Sequence, residues 1–117
     1  MTCSQRHEVG HEDTAVALGS GDVPVLGTPR LLAWLEQVTV VAARPHLAEG
    51  QVSVGAAVRI RHLAPTSVGE VVTVHADVLP AEGSRRRTFA VRAENARGDT
   101  IADGEIDRVA APRTAFT

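Results

Sequence analysis

One helical segment constrains the fold of this chain more than any other feature of the sequence. Gly27, Thr28 and Pro29 have the residue types of a helix start, because a threonine hydroxyl can cap unpaired N–H groups and proline needs no hydrogen bond in the first turn. They predict a helix from residue 29 to about residue 44, where Pro45 ends it. On a helical wheel only a narrow stripe of this segment is polar. Most of its surface must therefore be buried by other parts of the chain.

Alternating apolar residues predict several β-strands around this helix. Apolar side chains recur at every second position of Val52–His62, and a period of two is typical of a strand with one buried face. The remaining strands are predicted at residues 11–18, 72–78, 89–93 and 100–111. Short turns join the last four strands, so antiparallel pairing is expected. The sequence therefore predicts an α+β domain in which an antiparallel β-sheet wraps around one long central α-helix.

The predicted domain occupies residues 10–112. Residues 1–9 are expected to form a flexible N-terminus with Cys3 as a frayed thiol, and residues 113–117 a C-terminal tail. At 117 residues and 44% hydrophobic content, the chain has enough apolar material for one core but not for two. The helix covers only one face of the sheet, so another face or an edge is expected to contact a second subunit.

Composition argues against several classes of function. The net charge is −2, with twelve arginines and no lysine, so there is no basic excess for binding nucleic acid. A single cysteine excludes an intrachain disulfide and fits a reducing compartment. No signal-like or membrane-spanning apolar run occurs, which predicts a cytoplasmic protein that binds no membrane. The histidines lack metal-ligand spacing and no serine-hydrolase elbow is present, so neither a metal site nor that hydrolase class is expected.

Two polar residues interrupt apolar patterns. Glu36 lies in the helix well away from the polar stripe, where a carboxylate is unfavourable unless it has a partner. It is either an edge residue that reaches solvent or a partly desolvated general base or nucleophile. His62 ends the apolar register of its strand, where an imidazole can transfer a proton near neutral pH. A core histidine bonded to a backbone carbonyl would explain the same position.

Thr28 and Arg108 are the next candidates. As a helix cap Thr28 needs no catalytic role, yet the same place puts it beside N–H groups and the positive end of the helix dipole, which stabilise an anion. Arg108 shares the less polar register of the last strand, and it either pairs with a buried carboxylate or extends to the strand end. The run Arg85-Arg86-Arg87 is either a solvated turn or a site for the phosphates of a nucleotide-bearing substrate.

The predicted order of elements resembles the hot-dog fold, and the spacing of these residues resembles the fluoroacetyl-CoA thioesterase-type branch of that fold. The branch has a threonine at the start of the central helix, a glutamate eight residues later and a histidine twenty-six residues after the glutamate. Thr28, Glu36 and His62 match this spacing. The branch also has a glycine seven residues before the histidine, which corresponds to Gly55. An arginine of its last strand corresponds to Arg108 in the segment GEIDR.

The resemblance implies a thioesterase that hydrolyses an acyl-CoA with a small or medium acyl group to the free acid and CoA. Thr28 or Glu36 would act as the nucleophile or as the activator of water, with His62 as the acid–base partner. The residues implied to bind the substrate are Gly27, Gly55 and Arg108. No cofactor is implied apart from CoA, which is part of the substrate. The loop before Thr28 has no aromatic residue, so selectivity for fluoroacetyl groups is not implied.

Two other functions on the same fold stay open. One is a hydratase or dehydratase acting on thioester-bound acyl chains, and the other is a non-catalytic dimeric module that binds an acyl thioester. Thr28 and Glu36 lie roughly 12 Å apart along a straight helix, so they cannot both contact one carbonyl. Either the Thr28 loop folds back, or the site is shared across a dimer interface, as the resemblance to hot-dog enzymes implies. The expected assembly is therefore a homodimer whose other partner is acyl-CoA.

Overall fold

The computed structural model describes residues 1–81 and 85–117 of the chain. These residues form a five-stranded antiparallel sheet and one long helix, which confirms the predicted α+β class. The strands are β1 Thr2–Glu8, β2 Gln51–His62, β3 Val71–Val78, β4 Arg86–Glu94 and β5 Thr100–Pro112. The helices are α1 Ala15–Leu18 and α2 Thr28–Ala43, with short 3-10 turns at His11–Asp13, Arg44–His46 and Arg113–Phe116. The strand order is β1-β3-β4-β5-β2, so β1 and β2 form the two edges.

Helix α2 packs against the sheet and supplies much of the core. Leu31, Leu35 and Val38, which the helical pattern places on the apolar face, are fully buried. They belong to one cluster with inward-facing side chains of the sheet such as Val74 and Phe89. Burial of side chains of this size contributes about 1.5–3 kcal/mol each. Tertiary packing, rather than the helix propensity of the segment, therefore holds α2 in place.

The start of α2 differs from the prediction in one respect. Gly27, not Thr28, is the N-cap residue, and no side chain caps the helix. A side chain at Gly27 would lie 3.0 Å from Leu18 and 3.1 Å from Ala15, so glycine lets α1 and α2 approach each other closely. Thr28 is the first residue of the helix, and its hydroxyl therefore serves another partner.

The prediction for the N-terminal region was wrong. Strand β1 pairs along its whole length with β3, and residues 11–18 form helical turns instead of a strand. Because β1 is an edge strand with polar residues on both faces, it lacks the apolar alternation by which strands are identified. Cys3 packs against the core and is not frayed. On the outer face Ser4 Oγ lies 2.6 Å from His75 Nδ1, and His75 Nε2 lies 2.8 Å from Glu94, which ties β1 to β3 and β4.

Strand β2 contains a β-bulge that the alternation pattern does not reveal. Its pairing with β5 shifts between Gly55 and Ala57. Before the bulge, Ser53 and Gly55 face the helix, whereas after it the even position Ile60 packs against the core. The prediction that the even positions face the core along the whole strand was therefore wrong. Val58 lies after the bulge and is 40% exposed at the edge of the sheet.

An ion-pair network on the outer face joins β2 to β5 and β4. Asp107 of β5 accepts hydrogen bonds from Arg59 at 3.0 Å, from Arg86 at 2.8 Å and from Thr88 at 2.8 Å. These bonds, of which that from Arg59 has the largest effect, lower the pKa of Asp107 to about 2 against the opposing effect of burial. The network holds the edge strand β2, on which several candidate residues lie, against β5.

Candidate active site

The start of α2 meets the end of β2 at a threonine–histidine pair. Thr28 Oγ1 and His62 Nδ1 lie 2.8 Å apart. Burial lowers the pKa of His62, and the backbone of Ala64 acts in the opposite direction. The imidazole is therefore mainly neutral at neutral pH, and in that form a ring nitrogen can accept a proton from the hydroxyl. Thr28 is exposed, so a substrate can reach this hydroxyl.

The pair lines a cleft of about 380 Å³ between the loop that precedes α2 and the segment that follows β2. The apolar side chains that line it are those of Ala15, Val23, Val25, Leu26, Leu63, Ala64 and Pro65. His62 Nε2 is buried and has no hydrogen-bond partner within residues 1–81 and 85–117. The cleft thus combines apolar walls with a hydroxyl and an imidazole, a composition typical of sites that bind small molecules.

A second polar cluster lies about two turns further along α2. Glu36 faces Gly55, and a side-chain carbon placed on Gly55 would lie 2.9 Å from Glu36 Oε2. Arg108 is only 7% exposed; its Nε donates to Ser53 Oγ at 2.8 Å and its Nη2 to the Ser53 carbonyl at 3.0 Å. Its Nη1 lies 3.5 Å from Thr39 Oγ1. Burial lowers the pKa of Arg108, and the charge of Glu36 opposes this shift.

The candidate residues thus form two groups within one chain. Thr28 contacts His62 at the start of α2, whereas Glu36 lies against Gly55 and near Arg108. Along the axis of α2 the two groups are about 12 Å apart, as expected for eight residues of helix. The chain by itself does not bring Glu36 to the Thr28–His62 pair. The catalytic and binding roles of these residues remain predictions.

Sequence reasoning missed Ser53 and Thr39, the two residues that bond the Arg108 guanidinium. Ser53 lies at an odd position of β2, which the pattern assigns to solvent because the bulge is not visible in the sequence. Thr39 is a polar residue within an apolar helix face, and this position in the sequence was the one sign that it could have a functional contact. Gly27, by contrast, donates its N–H to the Asp13 carbonyl at 2.9 Å, so that N–H is not available to a substrate.

Residues 1–81 and 85–117 lack two further classes of feature. No group of three or more His, Cys, Asp or Glu side chains in this part of the chain is arranged to hold a metal ion. None of its helices is long and apolar enough to cross a membrane.

Residues 9–114 match the family described as "FlK: Fluoroacetyl-CoA-specific thioesterase". The chain belongs to this family. The solved structure of the fluoroacetyl-CoA thioesterase FlK is 27% identical, with a TM-score of 0.88 over 99% of this chain and 89% of that chain. A thioesterase superfamily member from Thermus thermophilus is 28% identical, with a TM-score of 0.89 over 98% and 84% of the two chains. A hot-dog-like protein from Thermanaerovibrio acidaminovorans is 27% identical, with a TM-score of 0.87 over 99% and 84%. No curated protein sequence matches the chain.

Membership in the fluoroacetyl-CoA-specific thioesterase family confirms the hot-dog fold and the predicted class of enzyme. The protein is an acyl-CoA thioester hydrolase, and the hydratase and binding-module alternatives are not favoured. One FlK variant has been solved in complex with fluoroacetate and CoA, and another in complex with acetyl-CoA.

Proposed function

We propose that this thioesterase hydrolyses CoA thioesters of small or medium acyl groups at a site built on the Thr28–His62 pair. The observation that carries the proposal is the 2.8 Å contact between an exposed hydroxyl and a partly buried imidazole at the edge of an apolar cleft. Complexes of FlK variants with CoA and with acetyl-CoA support CoA as the thiol. CoA enters as part of the substrate, and the proposal includes no separate cofactor or metal.

The chemistry follows from these groups. His62 takes the proton of the attacking oxygen, which is either the Thr28 hydroxyl or a water held by Thr28 or by Glu36. The oxygen adds to the thioester carbonyl, and the N–H of Gly55, which belongs to a second copy of the chain as proposed below, stabilises the resulting oxyanion. Collapse of this intermediate breaks the carbon–sulfur bond and expels the CoA thiolate, which takes the proton held by His62. If Thr28 is the nucleophile, a water then cleaves the acyl-enzyme ester and restores the hydroxyl.

We also propose that the working unit is a homodimer with shared sites. Strand β2 is an edge strand, and its exposed Val58 offers an apolar contact to a second copy. Antiparallel pairing of two β2 strands around a two-fold axis would bring the end of one strand, at His62, towards the beginning of the other. Glu36 and Arg108 of one copy would then complete the Thr28–His62 site of the other. This arrangement removes the 12 Å separation that a single helix imposes.

Release of free thiol from a series of acyl-CoA esters of increasing chain length tests the reaction. The wild type is expected to release thiol, and Glu36→Gln and His62→Ala to lower kcat/KM by about 10²–10⁴-fold. His11→Ala, a change of an exposed histidine outside both clusters, serves as the control and keeps full activity. Folded Glu36 and His62 variants with wild-type activity would refute the site assignment, and water addition without thiol release would refute hydrolysis.

Mixing two inactive variants tests the shared site. In a heterodimer of His62→Ala and Glu36→Gln chains, one of the two shared sites receives an intact His62 from one chain and an intact Glu36 from the other. Random exchange of subunits would then restore about one quarter of the wild-type activity. A site contained within one chain predicts no recovery at all. The mass of the wild-type particle in solution tests the dimer independently.

A cytoplasmic location is proposed on the cysteine content alone. The chain has a single cysteine, Cys3, and the partly buried thiol packs against the core. A reduced thiol in such a position fits a reducing compartment. The net charge of −2 argues against nucleic acid as a partner. Fractionation of cells that produce the protein tests the location, and enrichment in a membrane or secreted fraction would contradict it.

A further inference from the structure

A row of residues on the helix-facing side of the sheet leads away from Gly55. Gly55 of β2 pairs with Arg108 of β5, which in turn pairs with Arg87 of β4. Two arginines therefore stand directly opposite each other on neighbouring strands. Neighbouring strands lie about 4.8 Å apart, so Arg87 is roughly 10 Å from Gly55 across the sheet. The proposed oxyanion position and the two guanidinium groups thus lie on one face within a short distance.

The two arginines line a cleft of about 180 Å³ between the end of α2 and the sheet. Its charged and polar lining consists of Arg85, Arg87, Arg108, His46, Gln51 and Ser53, and its apolar lining of Ala43, Leu47, Phe89 and Ala110. No carboxylate is among the lining residues that belong to 1–81 and 85–117. Like charges on directly opposed positions of a sheet are unfavourable. The described part of its wall therefore concentrates positive charge without a matching negative group.

The charges around this cleft are only partly compensated by the chain. Glu36 acts on Arg108, but neither Arg85 nor Arg87 forms an ion pair with any residue in 1–81 or 85–117. The C-terminal end of α2, at Ala43, carries a partial negative charge of roughly half a unit. Such a charge cannot balance three guanidinium groups. An anion that enters the cleft would accept hydrogen bonds from Arg87 and Arg85. Its negative charge would also reduce the repulsion between the guanidinium groups of Arg87 and Arg108.

We propose that the cleft binds a carboxylate carried by the acyl group, so that the preferred substrates are CoA monoesters of short dicarboxylic acids. This inference rests on the proposed thioesterase function. A planar carboxylate matches the fork of donors that a guanidinium presents. The cleft is smaller than the roughly 300–1,000 Å³ of sites that hold a whole small ligand, so a carboxylate fits it better than a nucleotide does. The long pantetheine arm would also carry the CoA phosphates well beyond a cleft that begins beside Gly55.

Succinyl-CoA and butyryl-CoA have acyl chains of the same length, and only the first ends in a carboxylate. We expect the wild type to show a kcat/KM for succinyl-CoA at least about tenfold above that for butyryl-CoA, because one hydrogen bond to a charged group contributes a factor of about this size. Arg87→Gln is expected to remove this preference and to leave butyryl-CoA hydrolysis within about threefold. Arg92→Gln changes the same strand on its opposite face and is expected to leave both rates unchanged. Arg85→Gln provides a second test of the cleft if Arg87→Gln does not fold.

Each other outcome counts against the proposal in a distinct way. Equal wild-type rates for the two esters would overturn it while leaving the thioesterase function intact. Arg87→Gln could instead lower kcat/KM equally for both CoA esters and leave the succinyl and butyryl thioesters of N-acetylcysteamine unaffected. That result would show that the cleft binds CoA phosphate. A preference that survives in both arginine variants would assign the recognition to other residues. Absence of thiol release from every acyl-CoA would refute the proposed function itself.

Discussion

Gly55→Ala separates the position of Glu36 from the stability of the fold. The added carbon would lie 2.9 Å from Glu36 Oε2 and 3.8 Å from Arg108 Nη1, with no backbone atom among its contacts within 4 Å. Ordinary contact begins at 3.4 Å, so the carboxylate oxygen must move by about 0.5 Å or more. Only the end of a flexible side chain has to shift. The substitution therefore perturbs a functional group without disturbing the sheet.

The expected effects on stability and activity have opposite directions. Gly55 is not one of the glycines with positive φ, so alanine fits its backbone and restricts the unfolded chain, which stabilises by up to about 1 kcal/mol. Functional groups must be held within about 0.5 Å, and a misplacement of 1 Å lowers rates by about 100-fold. We therefore expect kcat/KM to fall by about 10- to 100-fold.

Urea unfolding and thiol release, measured on the same preparation, provide the two readouts. If the loss acts through Glu36, Gly55→Ala should reduce activity much less in a Glu36→Gln background than in the wild type. Wild-type activity in Gly55→Ala, or an effect of the same size in both backgrounds, would refute this role of Glu36. A loss of more than about 1 kcal/mol of stability would show that the substitution strains the bulge instead.

Three further predictions concern pH and packing. Because burial lowers the pKa of His62, kcat/KM should decline on the acid side with a midpoint below 6.5, and a pH–rate profile with a higher midpoint would contradict this. The change in the pKa of Asp107 from 3.8 to about 2 corresponds to roughly 2.4 kcal/mol of folding stability. Solvent screens the Arg59 and Arg86 side chains, which are each 51% exposed, so we reduce this contribution to about 1–2 kcal/mol. A carboxylate with a lowered pKa stabilises the fold at pH values above the pKa that it has in the unfolded chain, so Asp107→Asn should destabilise the protein at pH 7. In urea titrations the difference in stability between the variant and the wild type should shrink as the pH falls from about 4 to about 2. Gly104→Ala should reduce the free energy of unfolding by more than about 2 kcal/mol and so lower the melting temperature. The reason is that Gly104 has φ +156° and the new carbon would lie 1.9 Å from the Arg59 carbonyl oxygen. An unchanged melting temperature would show that β2 shifts freely.

The candidate residues were recognisable because each is polar in an apolar context. Glu36 in a buried helix, His62 at the end of an apolar strand face and Arg108 in the last strand all follow from local periodicity. The pattern did not show that Thr28 bonds His62 instead of capping the helix. Nor did it show that Ser53 holds Arg108, because a single bulge reverses the faces of half a strand.

Sequence alone determined the long buried helix, the class of fold and the family, because the periods of 3.6 and 2 and the spacing of a few polar residues are properties of local segments. Tertiary structure decided the pairing of β2 with β5, the place of β1 at the opposite edge, and the two separate clusters along α2. It also decided that Arg87 faces Arg108. Such contacts join residues far apart in the chain, and their register depends on the packing of the whole sheet, which no local pattern contains.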